Sequence, residues 1–150
     1  MTLVDTNVIL DVVLADASWA EWSLRNLEMA AIAGPLAIND IVYAELAAGY
    51  PAIEALDDLV SGMGLRLEPV PRPALFLAAK AFRQYRTRGG MRTGVLPDFF
   101  IGAHAAVSGW PLLTRDVRRY RDYFPTIDVI GPPEDSRNPD RRVSSQTGLQ

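Results

Sequence analysis

A chain of 150 residues that is 49% hydrophobic suits one domain with one core. It has no cysteine, which excludes disulfides and thiolate metal sites, and a net charge of −3 does not by itself point to nucleic acid. No basic region followed by a long apolar run opens the chain, so neither a signal peptide nor a membrane span is expected; a cytoplasmic location follows by default.

The first stretch, Leu3-Val4-Asp5-Thr6-Asn7-Val8-Ile9-Leu10-Asp11, organises the rest. An apolar run stops at Asp5, and helix-forming apolar residues resume at Val8. This reads as a short buried strand followed by a helix capped by Thr6 or Asn7. Ser18 is a plausible cap for a second helix carrying Trp19, Trp22, Leu27 and Ala30, which ends at Gly34-Pro35. Leu36-Ala37-Ile38 is a strand, and Asn39 or Asp40 caps a helix through Gly49. A short helix follows Pro51. Leu65-Arg66-Leu67 can form an edge strand before the prolines at 69, 71 and 73.

Ala74 to Arg88 is amphipathic, with Leu75, Ala78, Ala79, Phe82 and Tyr85 on one face and Lys80, Arg83, Gln84 and Thr87 on the other. Asp98 opens a helix that is apolar nearly all round and stops at Ser108-Gly109. Leu112-Leu113-Thr114 is a strand, Arg115-Asp116 turns into a short basic helix, and Ile127 to Ile130 closes the sheet. Residues 132–150 read as a disordered tail by composition. Strands alternating with helices predict an α/β domain over 1–131: a mainly parallel sheet of four or five short strands with helices on both faces.

Charge is unevenly spread. Residues 1–79 hold three Arg and eleven acids; residues 80–121 hold nine basic residues and only Asp98 and Asp116; residues 122–150 hold three Arg and five acids. A basic third inside an acidic chain suggests a local anionic partner, although solvated helix faces would look the same.

Four acids stand out: Asp5, Glu45, Asp98 and Asp116. Taken singly, each has a structural explanation as a turn or cap residue. Glu45, however, is the only charge between Asp40 and Glu54, and burying it would require an Arg partner or a metal. In an open α/β sheet the strand-to-helix junctions gather at one edge, where ligands bind. Acids gathered there repel one another unless a cation neutralises them. Oxygen ligands without Cys favour Mg²⁺ or Mn²⁺, ions that grip phosphate oxygens and activate water. His104, amid Ala and Gly, reads as a packed, hydrogen-bonded core residue. Asp11, Asp57, Asp58 and Asp122 read as surface charges.

The ordered set Leu3-Val4-Asp5-Thr6-Asn7-Val8, Ala44-Glu45-Leu46, Leu96-Pro97-Asp98-Phe99-Phe100-Ile101 and Leu113-Thr114-Arg115-Asp116 resembles PIN-domain ribonucleases, and more narrowly the toxins of VapBC-type toxin–antitoxin pairs. The resemblance runs from about Met1 to Gly131 and implies a PIN-like three-layer fold. It makes Asp5, Asp98 and Asp116 metal ligands, with Glu45 reaching the metal through water. It puts Thr6, Asn7 and Thr114 at the positions that hydrogen-bond those acids. It further implies metal-dependent RNA hydrolysis leaving a 5′-phosphate, a homodimer, and a cognate antitoxin whose tail fills the groove. Some members carry a further acid soon after the fourth; Arg118 and Arg119 stand there in this chain. Arg83, Arg86, Arg92 and Arg115 are the arginines expected to meet RNA. Two other readings are open: a non-catalytic RNA-binding or regulatory module on the same fold, and a phosphotransfer domain with Asp5 as nucleophile. The latter needs a well-placed Lys, and Lys80 is the only one in the chain.

Overall fold

The computed structural model describes residues 1–133. The chain begins with β1 (Thr2–Val4), whose residues are all buried, then α1 (Thr6–Val13) and α2 (Ala20–Ala33). Next come β2 (Leu36–Asn39), α3 (Asp40–Ala47), α4 (Ile53–Gly62) and β3 (Leu65–Glu68). The second half runs α5 (Arg72–Thr87), α6 (Pro97–Ser108), β4 (Leu112–Leu113), α7 (Val117–Tyr123) and β5 (Val129–Ile130).

The five strands form one sheet in the order β3-β2-β1-β4-β5, and every pairing is parallel. The expected α/β class and the edge position of β3 are therefore observed. The crossovers from β1 to β3 travel one way across the sheet, and those from β3 to β5 travel the other way. With right-handed connections, the intervening helices fall on opposite faces, giving three layers. The central strands are covered on both sides, so Leu3, Val4, Ala37, Ile38, Leu112 and Leu113 are buried without alternation. The direction of travel reverses between β1 and β4. That is the switch point where an open α/β sheet leaves a crevice at the strands' carboxyl ends.

Local chemistry sets the helix starts. Asp5 is the cap of α1, in place of the expected Thr6 or Asn7: its backbone is still extended (φ −73, ψ 151) and its side chain accepts from Thr6 N. Asn39 caps α3, accepting from Ile41 N at 3.1 Å and Val42 N at 3.0 Å. Asp16, not Ser18, organises the approach to α2 by accepting from Ser18 N and Trp19 N. Pro97 occupies the first turn of α6, where its missing N–H costs nothing, and left-handed Gly109 ends that helix.

Gly102 on α6 permits α7 to close against it. An added Cβ would come within 2.4 Å of the Phe124 ring and 3.1 Å of Tyr120. Gly102→Ala is expected to destabilise the domain by about 1–2 kcal/mol. Overpacking costs about 1–3 kcal/mol, and the better helix propensity of Ala returns at most about 1 kcal/mol. Urea unfolding of the variant beside the parent checks this.

No helix among the described residues is long and apolar enough to cross a membrane. Most of the expected tail, residues 134–150, lies outside the described residues.

Candidate active site

Asp5 ends β1 at the switch point and is 5% exposed. One carboxylate oxygen accepts from Thr6 N at 2.7 Å. The other accepts from Thr114 Oγ1 at 2.7 Å, Tyr120 OH at 3.1 Å and Asn7 Nδ2 at 3.4 Å. All these donors are neutral. Burial raises the Asp5 pKa to about 6; the Asp98 charge adds to the rise, while the hydrogen bonds from Thr114, Tyr120 and Thr6 oppose it.

Thr114, fully buried just past β4, is the hub that joins two of the acids. Its hydroxyl donates to Asp5 and accepts from Asp116 N at 3.0 Å, so Asp116 is held by its backbone. Asn7 lies 3.5 Å from the same hydroxyl and accepts from Arg115 N at 3.3 Å, tying α1 to the β4–α7 turn. Thr6 Oγ1 donates to Glu45 Oε1 at 2.8 Å. Glu45 is exposed, so it needs no buried partner, because Val42 and Leu46 take the core face of α3.

Asp98, in the first turn of α6, sits across the crevice. Tyr120 OH is 3.5 Å from its Oδ1, but the single hydroxyl proton serves the nearer Asp5. Burial and the charges of Asp5 and Asp98 push the Tyr120 pKa well up, so the phenol remains a donor. Arg119 hydrogen-bonds to Asp98 and reaches within 3.8 Å of Asp116, so its guanidinium sits between two of the acids. The hydrogen bond to Asp98 raises the Arg119 pKa against the lowering effect of burial and keeps it charged.

The structure thus links Asp5, Thr6, Asn7, Asp98, Thr114 and Asp116 through shared donors, with Glu45 attached through Thr6. Sequence reasoning missed Tyr120 and Arg119. The basic run from Arg118 to Arg121 marked the neighbourhood, but nothing in it singled out the tyrosine.

Beside Asp98 and Asp116 runs an open groove of about 460 Å³, lined by Tyr85, Phe99 and Tyr123 together with Arg92, Arg118 and Arg119. Of the arginines expected to meet RNA, only Arg92 lies here. Arg86 donates to the Arg92 carbonyl at 2.9 Å, and Arg83 is exposed on α5 outside the lining.

Arg115 turns the other way. Its Nε is 2.7 Å from Asp11, and its guanidinium lies 5.1 Å from the Trp19 ring centre. The Nε–H is not aimed at the Asp11 oxygen, so the contact is ionic. Asp11 is not a surface charge: it is 3% exposed and accepts from Ser23 Oγ at 2.6 Å. This cluster pins the site's floor to α2 and withdraws Arg115 from the crevice. His104 is buried as expected, with Nδ1 3.3 Å from Asn39 Nδ2, and burial lowers its pKa.

The donors fit a hard divalent cation in kind: carboxylate oxygens, one deeply buried and carrying a pKa raised by that burial and by the Asp98 charge. Among the described residues, no three acids stand close enough to enclose an ion without side-chain movement. Asp98 and Asp116 are the part-exposed members, and Arg119 is the group standing between them.

An all-parallel sheet with acids gathered at its switch point defines an α/β domain with an acidic crevice. The sequence pattern of the PIN domain matches residues 2–123, and the chain belongs to the PIN-domain family. Its fold is similar to a chain of the VapBC2 complex of Rickettsia felis, solved bound to promoter DNA (20% identity, 87% of this chain and 97% of that one, TM-score 0.65). It is similar too to a chain of a toxin–antitoxin complex from Klebsiella pneumoniae (20% identity, 89% and 99% covered, TM-score 0.63). A third similar fold is VapBC-1 of nontypeable Haemophilus influenzae (17% identity, 87% and 96% covered, TM-score 0.63). No curated protein gives a significant sequence match.

Proposed function

We propose that this chain is a Mg²⁺- or Mn²⁺-dependent endoribonuclease, the toxin of a type II toxin–antitoxin pair, acting in the cytoplasm as a homodimer and restrained by a cognate antitoxin. The observation that carries the reading is Asp5: a buried carboxylate with neutral donors only, facing Asp98 and tied through Thr114 to Asp116. PIN-family membership and the toxin–antitoxin complexes among the similar folds support it.

Asp5, Asp98 and Asp116 would hold the ion, with Glu45 reaching it through water; when bound, the ion polarises the phosphate and makes water acidic enough to attack. Thr114, Tyr120 and Thr6 N fix the Asp5 carboxylate so that it cannot rotate away. Thr6 aims Glu45, which is exposed and placed to take the proton from the attacking water. Water oxygen bonds to phosphorus, the P–O3′ bond breaks, and the products carry a 5′-phosphate and a 3′-hydroxyl. Arg119 and Arg118 grip the non-bridging phosphate oxygens, the forked guanidinium matching their geometry.

The test is incubation of the purified chain with end-labelled single-stranded RNA. Cleavage in Mn²⁺, none in EDTA, and products degradable by a 5′-phosphate-dependent exonuclease are expected. RNA retained on a gel but intact with manganese present would replace this reading with that of a non-catalytic RNA-binding module.

A further inference from the structure

We infer that the groove beside the acids is a nucleotide subsite in which one unpaired base stacks on Tyr123, making Tyr123 a determinant of which position along an RNA is seated next to the acids. This rests on the ribonuclease reading and extends it.

Asp116, Arg119 and Tyr123 fall at i, i+3 and i+7, so they share one face of α7, and all three line the groove. Carboxylate, guanidinium and aromatic ring therefore succeed one another along the wall. Each step is about one helical turn, ~5.4 Å, comparable to the reach from phosphate to base within a nucleotide. A phosphate held by Arg119 next to the acids would deliver its neighbouring base to Tyr123.

The aromatic corner is built rather than incidental. Buried Phe99 forms its base, with Tyr123 edge-on at 5.1 Å and Tyr85 at 5.7 Å. The opposite wall is tied to this corner. An added Cβ at Gly90 would come within 2.3 Å of the Tyr85 ring, so only glycine lets the loop lie so close. Arg92 N donates to the Tyr85 hydroxyl at 3.4 Å, which sets Arg92 at the groove's rim. Arg88 rests over the Tyr123 ring at 5.4 Å, a planar cation on an exposed side chain that an incoming base would displace from the ring face.

The chemistry selects the occupant. The groove is also lined by Asp98, Asp116 and Asp122, and Arg119 is already paired with the first two, so an apolar side chain would satisfy the rings but leave Arg92 and Arg118 facing an uncharged surface. A free anion would satisfy the arginines but leave the rings bare. A nucleotide matches both at once. The volume of about 460 Å³ lies within the range of small-ligand pockets, about 300–1,000 Å³, and does not suit a duplex. In a duplex both faces of each base are already covered, so only a base splayed from its neighbours can enter.

The test reads stacking without cleavage. Short RNAs carrying 2-aminopurine at successive positions are titrated with the full chain in EDTA. One position is expected to be quenched several-fold. Tyr123→Phe should retain the quench. Tyr123→Ala should abolish it and weaken binding roughly tenfold, the weight of one base–aromatic stack; should that variant fail to fold, Tyr123→Leu keeps apolar volume against Phe99 and serves the same comparison. The complementary duplex should bind more weakly and show no dependence on Tyr123. Unchanged quenching and affinity in the aliphatic variant, or a duplex that binds as tightly as the single strand, would overturn the subsite. Quenching that depends on Tyr123 in an RNA that Mn²⁺ leaves uncut would uphold the subsite and sink the nuclease. Manganese-dependent cleavage that is indifferent to Tyr123 would do the reverse.

Discussion

Asp5→Asn is expected to abolish RNA cleavage while leaving the metal-free protein as stable as the parent or more so. The two effects have one origin. The Asp5 carboxylate is buried, and its pKa is raised from 3.8 to about 6. A rise of about two units corresponds to about 3 kcal/mol of strain at neutral pH. Asn removes that charge and keeps the volume. The amide nitrogen gains nothing from Thr114 and Tyr120, which now donate toward it, so the net gain is smaller, about 1–2 kcal/mol. Activity should fall by about 10²–10³-fold or more, the scale of losing one preorganised electrostatic group. Asp98→Asn should lose activity similarly. It should gain less stability, because Asp98 is part-exposed and already paired with Arg119.

The pH dependence follows with a definite sign. A carboxyl whose folded pKa lies above its unfolded value binds more protons in the folded state between the two. Metal-free stability should therefore fall as pH rises from about 4 to about 6 and level off above, with the Asp5 contribution fully favourable only below the unfolded pKa. In Asp5→Asn that component of the slope should vanish. Thermal melts in EDTA across this range, for parent and variant, make the comparison. A parent whose slope is unchanged by the substitution would remove Asp5 as a strained carboxylate.

The parts of the site that were legible in the sequence are those fixed by strand-to-helix junctions. Asp5 after β1 and Thr114 with Asp116 after β4 lie at strand ends, so their convergence followed from a parallel sheet alone. Tyr120 was not legible, because its hydroxyl reaches Asp5 only once α7 folds back onto α6 at Gly102. Asp11 was misread because Arg115, one of the two partners that bury it, lies far along the chain beyond β4. Glu45 has apolar neighbours along the chain, yet it is exposed. Helical periodicity gives the core face to Val42 and Leu46 and leaves Glu45 one step off it. The groove wall was invisible, since the loop of 88–95 acquires its position from the Tyr85 ring rather than from any local preference.

Mn²⁺ is expected to raise the melting temperature by about 5–10 °C relative to EDTA, and Arg119→Gln should enlarge that shift. A ligand at a hundredfold excess over its Kd stabilises by about 2.7 kcal/mol. At 2–4 °C per kcal/mol for a domain of this size, that gives the range stated. Arg119 enters because its guanidinium stands on Asp98 and within 3.8 Å of Asp116, so it and an incoming ion draw on the same oxygens. Without Arg119 the metal-free protein should melt lower, since the repulsion among the acids is then uncompensated. Manganese should bind about 3–10-fold tighter by calorimetry, since no ion pair has to be broken first. A half-exposed pair supports only a modest effect of this kind, about 1 kcal/mol. RNA affinity should move the opposite way, because the same guanidinium, once displaced by the ion, is free to grip phosphate. Weaker manganese binding in Arg119→Gln would mean that Arg119 orients the carboxylates for the ion rather than competing with it. A melting temperature indifferent to manganese in the parent would leave the acids without a cation and the proposed hydrolysis without its activating group.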